Sequence, residues 1–325
     1  MSQKAEFIQN LSLPVVAAPM FLISGPKLVI ECCKNGIVGT FPALNQRTSE
    51  GFEEWLIEIK SELQKFEEET GKKAAHFGVN LVVHPTNPRL EADVRLCMKH
   101  KVPLVITSLG AVSMVVDAIH SYGGLVFHDI IKKRHAEKAA EAGVDGLILV
   151  SAGAGGHGGT INPMSLITEV KKFFHKTILL SGCISTGRDI ASAMQMGADL
   201  AYMGTRFINT EESQATEEYR KMIMDAGASD IVYTAAISGV HANFLAASLK
   251  AAGITEEDLK KDTKIDFGKE LNTEAKAWKT IWSAGQGATA IDDVLPVAKL
   301  VEKLKGEFKS AIEEQAKLLE AYAKD

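Results

Sequence analysis

The sequence lacks the features that would mark a protein for export, for a membrane or for nucleic acid. It has only four cysteines, without the spacing of a metal site and too few for a disulfide scaffold. Its first residues hold no apolar core of a signal peptide, and no apolar run approaches the length of a membrane span. The formal net charge of −5 disfavours nucleic acid and anionic membranes as partners. We therefore expect a reduced, cytoplasmic protein.

What is present is the composition of a globular protein, with 46% hydrophobic and 24% charged residues over 325 positions. This length suffices for one large domain or two smaller ones. Eight short apolar runs recur along the chain, and most are continuous, as is typical of strands buried on both faces of a parallel sheet. The runs cover residues 15–20, 37–41, 76–83, 104–109, 125–130, 146–150, 177–181 and 200–205.

Helical patterns fill the segments between these runs. Several end in a glycine just before the next run, as at Gly123, Gly143 and Gly197, and glycine directly after a helix is a common stop signal. Eight such units favour an α/β fold of the (β/α)8 or TIM-barrel type over a doubly wound sheet. The predicted helices begin near Pro26 or cover residues 53–69, 91–100, 112–122, 132–142, 164–174 and 188–196.

The pattern changes after the eighth run. Residues 209–280 show helical stretches, at 213–226, 241–252 and 273–281, and no convincing strand. We interpret them as a helical insertion that forms a lid, and residues 1–208 and 281–325 as the barrel. The closing helix is expected over residues 291–322, in one piece or two.

The segment Ser151-Ala-Gly-Ala-Gly-Gly-His-Gly-Gly159 follows the sixth run and combines five glycines with a single imidazole. Glycines let the backbone approach a ligand closely, with N–H groups available as donors. Histidine titrates near neutral pH, so His157 is a candidate acid, base or hydrogen-bond partner. An alternative is a flexible loop with an incidental histidine.

Active sites of TIM barrels form where the strands end. The ends of the fourth and fifth runs carry Thr107, Ser108, His128 and Asp129. Small residues follow the seventh and eighth runs, where such barrels commonly bind phosphate through backbone N–H groups and a helix N-terminus. The candidate phosphate-binding residues are Gly182, Gly204 and Thr205.

These segments together resemble the nitronate monooxygenase (2-nitropropane dioxygenase-like) family of FMN-dependent TIM barrels. The similar segments are Ala17–Met20, Gly78–Asn80, Ala154–Gly158, Gly182–Ile184, Gly197–Asp199, Met203–Phe207 and Ile281–Gln286. The resemblance implies FMN as the cofactor. The expected cofactor-binding residues are Ala18, Pro19, Met20, Asn80, Asp129, Ser151, Gly155, Gly156, Gly182, Cys183, Gly204 and Thr205.

The same resemblance makes His157 the catalytic histidine. It would remove the α-proton of a nitroalkane or orient a nitronate, which O₂ then converts to a carbonyl compound and nitrite while the flavin carries the electrons. We expect a small-molecule substrate and O₂ as partners, no metal, and a homodimer as an option.

Some positions differ from the family pattern. Val150 and Gly153 stand where many nitronate-oxidising members have Gln and Glu, and Tyr202 stands where Gln is usual. Asp129 occupies a position that is Lys in some quinone-reducing relatives. The alternative function is therefore an NAD(P)H-dependent reductase of quinones or enoyl thioesters. A non-catalytic flavin-binding protein and a scaffold without cofactor are further alternatives.

Overall fold

Eight parallel strands close into a barrel in the computed structural model, which describes residues 7–8, 11–110, 113–237, 239–260 and 280–322. Each strand pairs with the next along the chain, and the last pairs with the first through Val16 and Tyr202. The TIM-barrel prediction is confirmed. The barrel strands are β1 Val15–Ala17, β2 Val38–Pro42, β3 Phe77–Val82, β4 Leu104–Ser108, β5 Leu125–Ile130, β6 Gly146–Val150, β8 Thr177–Ser181 and β9 Leu200–Met203.

The strands are buried on both faces, which explains their continuous apolar sequences. Side chains that point inward fill the barrel, and they include Val16, Ile106, Phe127 and Leu179. Side chains that point outward form a second, larger core with the surrounding helices, as Leu147 and Leu180 do. A barrel packed in this way is solid below its rim, so ligand space is available only where the strands end.

The helices of the barrel follow the predicted positions closely, because local signals fix their ends. The Thr186 side chain and Asp189 form a capping box at the start of one helix, and Gly197 ends it in the left-handed conformation. The barrel helices are Pro26–Lys34, Ser49–Thr70, Leu90–His100, Ser113–His120, Lys133–Glu141, Pro163–Lys171, Gly187–Met196, Thr205–Ile208 and Val297–Tyr322.

The closing helix is one piece, and it begins at Val297 rather than at residue 291. A short 3₁₀ turn, Gln286–Ala290, precedes it. The helix packs against Gly187–Met196, where the Leu304 carbonyl approaches Gly187 so closely that a side chain at this glycine would collide with it. None of the described helices has both the length and the apolar character of a membrane span.

The segment after the barrel strands contains two strands, so the expectation of a purely helical insertion is wrong. Strands β10 (Ile231–Thr234) and β11 (Ala242–Leu245) pair antiparallel, and β11 also pairs with the two-residue strand β7 (Gly156–His157). The strands were missed because four residues show too little alternation. Among the described residues of this segment, the helices are Glu217–Met224 and Ala246–Ala251, shorter than predicted, with 3₁₀ turns at Ala228–Asp230 and Asp258–Lys260.

The third predicted helix of that segment, residues 273–281, lies outside the described residues except for its last two positions. Three thiols, those of Cys32, Cys33 and Cys97, are buried and unpaired. The remaining thiol, Cys183, is accessible at the barrel rim.

Candidate active site

A cavity of about 550 Å³ opens at the ends of the barrel strands. The loops after the strands form its floor and sides, and the small antiparallel sheet contributes its outer edge. The predicted site residues that line this cavity are Ala18, Pro19, Met20, Asn80, Asp129, Gly155, Gly156, His157, Gly182, Cys183, Gly204 and Thr205.

Ser151 is the predicted site residue that the structure places behind the cavity wall. Its hydroxyl is fully buried and donates a hydrogen bond to the Ser181 carbonyl at 2.6 Å. This bond joins the ends of β6 and β8. His128 likewise turns away from the cavity, and its Nδ1 lies 2.8 Å from the Thr107 hydroxyl. Both residues support the strand ends that carry the cavity.

The glycine-rich loop packs against another segment of the chain as well as facing the cavity. Gln286 donates its backbone N–H to the Gly153 carbonyl at 2.9 Å. A Cβ atom at Gly155 would lie 2.8 Å from the Gly285 nitrogen, too close for any side chain. Gly155 is thus needed for contact between two backbones, a use that the sequence alone does not reveal, whereas Gly153 requires glycine for its φ of 81°. Gly156, with φ of 67°, requires glycine for its conformation.

His157 lies in β7, opposite Ala242 of β11, and its side chain borders the cavity. Burial lowers the pKa of the imidazole to about 4, because the charged form loses its hydration. The ring is therefore neutral at physiological pH. A neutral imidazole can accept a proton or a hydrogen bond from a ligand, and it is the form that a general base requires.

Three polar side chains from adjacent strands form a chain of hydrogen bonds at the cavity wall. Asn80 on β3 donates from Nδ2 to the Ser108 hydroxyl at 2.8 Å. Ser108 on β4 donates to Oδ2 of Asp129 on β5 at 2.5 Å. Oδ1 of Asp129 is buried and has no partner among the described residues. Desolvation raises the pKa of Asp129 to about 7.

The loops after β8 and β9 differ in how they would accommodate a side chain. At Gly182, which has φ of 120°, an added Cβ would lie 2.6 Å from the Ser151 hydroxyl. At Gly204 the nearest atoms to an added Cβ are the Ala18 Cβ at 3.7 Å and the Met20 sulfur at 4.0 Å. Gly182 is therefore required by the protein itself, whereas the missing side chain of Gly204 leaves space at the cavity wall.

Most of the first N–H groups of the helix that follows the β8 loop already donate to acceptors within the protein. The Asp189 carboxylate accepts from the N–H groups of Ser185 and Thr186, and Glu307 accepts from that of Gly187 at 2.7 Å. Acidic side chains thus occupy the helix start. Among the described residues, the amides of Cys183 and Gly204 have no acceptor and remain available to a ligand.

The loop after β1 is held by Asn45, a residue that the sequence reasoning missed. Its Oδ1 accepts from the Leu22 amide at 2.9 Å, and its Nδ2 donates to the carbonyls of Met20 and Ser24. This side chain fixes a loop in which Leu22 has the unusual φ of 59°. The available signal was its position, because Asn45 lies in the short 3₁₀ turn that follows β2.

An aromatic pair that also escaped prediction covers one side of the cavity. The rings of Tyr219 and Trp282 stack with centroids 4.9 Å apart, and the Tyr219 hydroxyl donates to the Ser283 carbonyl. Trp282 packs against the core beside Tyr219 and lines the cavity as well.

The charge of the cavity wall is low. Its described ionisable side chains are Asp129, His157, Cys183, Tyr202 and Tyr219, and none of the described wall residues is Lys or Arg. Arg206, next to the β9 loop, is buried and pairs with Asp293 at 2.5 Å instead of facing the cavity. An anion bound here would rely on backbone N–H groups and hydroxyls.

Comparison with known proteins identifies the family to which the sequence is similar. The sequence model of the nitronate monooxygenase family matches residues 3–307. A nitronate monooxygenase from Paraburkholderia phytofirmans is 26% identical over 94% of this chain and 94% of its own length.

Two solved structures share the fold. A nitroalkane oxidase from Streptomyces ansochromogenes superposes with a TM-score of 0.78 and 23% identity over 97% of this chain and all of that one. The enoyl reductase domain of MlnA from Bacillus amyloliquefaciens gives a TM-score of 0.73 and 17% identity over 98% of this chain and 99% of that one. The chain belongs to the nitronate monooxygenase family and is a flavin oxidoreductase of that type.

Proposed function

We propose that the cavity binds FMN and that the enzyme oxidises alkyl nitronates with O₂. The observation that carries the proposal is that the open position at Gly204 and the side chain of His157 face one cavity. The first provides space for a phosphate against backbone, and the second provides a polar group for a small substrate.

The described residues fit the phosphate of FMN without a cationic side chain. The amides of Cys183 and Gly204 and the hydroxyl of Thr205 would hold it. The Thr205 oxygen accepts from the Gly285 amide at 2.9 Å, so its own hydrogen can point to the ligand. Ala18, Pro19, Met20, Asn80, Asp129, Gly155, Gly156 and Gly182 would contact other parts of the cofactor. When bound, FMN takes electrons from the substrate and passes them to O₂.

The neutral state of His157 favours a nitronate over a nitroalkane as the main substrate. A base whose pKa is about 4 has little driving force to remove a proton from carbon at neutral pH. It can still donate a hydrogen bond from its N–H to an oxygen of a nitronate that has already lost this proton. His157 would thus orient the substrate, and removal of the α-proton would be a secondary capacity.

Two measurements test the proposal. Acid precipitation of the purified protein should release a yellow chromophore with the mass of FMN, and turnover of ethyl nitronate in air should yield nitrite and acetaldehyde in equal amounts. FAD in place of FMN, or a colourless protein that FMN does not reconstitute, contradicts the cofactor assignment. A flavin-loaded protein that forms no nitrite contradicts the substrate assignment.

The second candidate is an NAD(P)H-dependent reductase of quinones or enoyl thioesters. The stacked Tyr219 and Trp282 favour it, since this apolar surface is larger than a short nitronate needs. The fold shared with an enoyl reductase domain is compatible with it. Rapid bleaching of the flavin by NADH or NADPH without oxygen would support this function, and bleaching by a nitronate alone would oppose it.

Other parts of the sequence-based interpretation remain proposals. These are the lid role of residues 209–280, the boundary between this segment and the barrel, the homodimer and the cytoplasmic location. For the lid, the pairing of β11 with β7 is supportive, because movement of the segment would displace His157.

A further inference from the structure

The hydrogen bonds between Asn80, Ser108 and Asp129 limit where the O–H protons of Ser108 and Asp129 can lie. The side-chain NH₂ of Asn80 donates to the Ser108 oxygen, so it cannot accept a hydrogen bond from the Ser108 hydroxyl. A neutral Ser108–Asp129 pair carries two O–H protons, one on the hydroxyl and one on the acid. Only one of them can lie on the 2.5 Å line between the two oxygens.

The second proton has no acceptor among the described residues. Oδ1 of Asp129 makes no hydrogen bond, and Ser108 makes none beyond those to Asn80 and Asp129. Both side chains line the cavity. A buried O–H group without an acceptor is costly, typically by about 1–3 kcal/mol. Because Oδ1 of Asp129 is itself buried, the arrangement that removes this cost has Oδ2–H of Asp129 donating to Ser108 and the Ser108 hydroxyl donating to an acceptor atom of a bound ligand.

Ionisation of Asp129 would instead remove the second proton and leave a negative charge without a cationic side chain to stabilise it. No described wall residue is Lys or Arg, and one carboxylate oxygen would stay buried without a partner. Burial raises the pKa of this carboxyl to about 7. The proposed substrate, a nitronate, is itself an anion, and a carboxylate beside it would repel it.

We propose that Asp129 meets the bound ligand as a neutral carboxylic acid, and that the Asn80–Ser108–Asp129 chain supplies one hydrogen-bond donor to an acceptor atom in the cavity. The acceptor is an oxygen or nitrogen of the cofactor ring or an oxygen of the anionic substrate. This inference rests on the proposed function for the identity of the ligand, but the protonation of Asp129 does not.

The groups around Asp129 allow its proton to be followed by measurements at different pH values. β5 lies between β4, which presents Ser108, and β6, where Asp129 aligns with Ile148. Across the barrel stands Tyr202, whose pKa burial raises well above 10. The pKa of His157 and that of His128 are near 4, and the pKa values of Cys183 and Tyr219 are raised. Among the described groups at the wall, Asp129 alone titrates near neutrality.

The experiment compares three proteins as isolated with FMN: the parent, Asp129→Asn and Asp129→Val. Asn keeps a donor that does not titrate, whereas Val removes it. Infrared spectra in H₂O and D₂O at about pH 5.5 should show a carboxylic-acid C=O band in the parent that both variants lack. The affinity for FMN or for ethyl nitronate should fall about tenfold in Asp129→Val and recover largely in Asp129→Asn. In the parent this affinity should fall as pH rises past neutrality, whereas in Asp129→Asn it should not depend on pH.

The FMN dissociation constant and the KM for ethyl nitronate show whether the acceptor atom belongs to the cofactor or to the substrate. A higher FMN dissociation constant in Asp129→Val assigns the acceptor to the cofactor. A higher KM for ethyl nitronate, with unchanged FMN affinity, assigns it to the substrate. If the protein binds no FMN, the infrared band still reports the protonation state of Asp129. Failure of the cofactor proposal can therefore be distinguished from failure of this inference. Absence of the band, or a pH dependence that Asp129→Asn retains, overturns the inference. Thermal unfolding verifies that each variant is folded.

Discussion

The side-chain amide of Asn243 donates to the Ala154 carbonyl at 2.6 Å, and this bond joins the antiparallel sheet to the loop that precedes His157. Tyr233 adds a second link, from its hydroxyl to the Gly158 carbonyl at 3.1 Å. His157 is therefore held by hydrogen bonds on both sides of its position in β7. A glycine-rich loop is in this case a fixed platform, which is what a residue that orients a substrate needs.

Replacement of His157 by Asn should separate orientation from proton removal. General-base catalysis is typically worth about 10²–10⁴-fold, whereas one hydrogen bond is worth about tenfold. His157→Asn should lose about tenfold on ethyl nitronate with FMN still bound, and activity on nitroethane, which also needs proton removal, should fall by a larger factor. Steady-state kinetics on both substrates, with flavin content as the control, provide the comparison. Unchanged kinetics on nitronates would exclude His157 from the reaction.

Replacement of Gly204 should affect flavin retention in proportion to the size of the new side chain. Because an added Cβ would meet no protein atom within 3.7 Å, Gly204→Ala and Gly204→Val should fold normally. The alanine variant should retain part of the flavin and the valine variant almost none, since the branched side chain would occupy the phosphate space.

Gly306→Ala is the matched control for Gly204. Gly306 is exposed in the closing helix, where an added Cβ meets nothing within 4 Å, so this variant should keep its flavin and gain slightly in stability. The ratio of flavin to protein absorbance after gel filtration measures retention. Full occupancy in Gly204→Val would show that the phosphate lies elsewhere.

The stability of the protein should reveal the raised pKa of Asp129. The unfolded chain releases this proton near pH 3.8, whereas the folded protein keeps it until about pH 7. The folded state thus binds more protons in this window, so this group's contribution to the free energy of unfolding decreases as pH rises, by up to about 1.4 kcal/mol per unit.

The variant Asp129→Asn lacks that contribution. Its stability relative to the parent should therefore increase from about pH 4.5 to about pH 7 and then level off. His157 acts in the opposite sense, since its lowered pKa makes acid destabilising, but it cancels in the comparison because both proteins contain it. Urea unfolding at several pH values gives the difference, and a difference independent of pH would indicate that Asp129 is already ionised.

Removal of the Asn45 side chain should loosen the loop after β1. Asn45→Ala leaves the Leu22 amide and the carbonyls of Met20 and Ser24 without their partner. We expect a loss of about 1–3 kcal/mol in the free energy of unfolding and weaker flavin binding. Asn35→Ala, which removes one bond to the Glu31 carbonyl far from the cavity, is the control for general effects. Equal flavin affinity in both variants would exclude a role for Asn45 in the site.

The sequence by itself determined the barrel and much of the cavity wall. Continuous apolar runs and glycine stops are local signals, and closure of eight strands then places the ends of all of them around one opening. This is why residues as distant in sequence as Ala18, Asp129 and Gly204 could be predicted to meet.

Tertiary structure decided what local signals cannot encode. The pairing of Gly156–His157 with a strand some 85 residues later is non-local, as is the support of the β1 loop by Asn45. The same holds for the use of Gly155 as a backbone contact and of Ser151 as a link between strands. Above all, the protonation of Asp129 depends on burial and on the direction of two hydrogen bonds, and those exist only when three strands lie side by side.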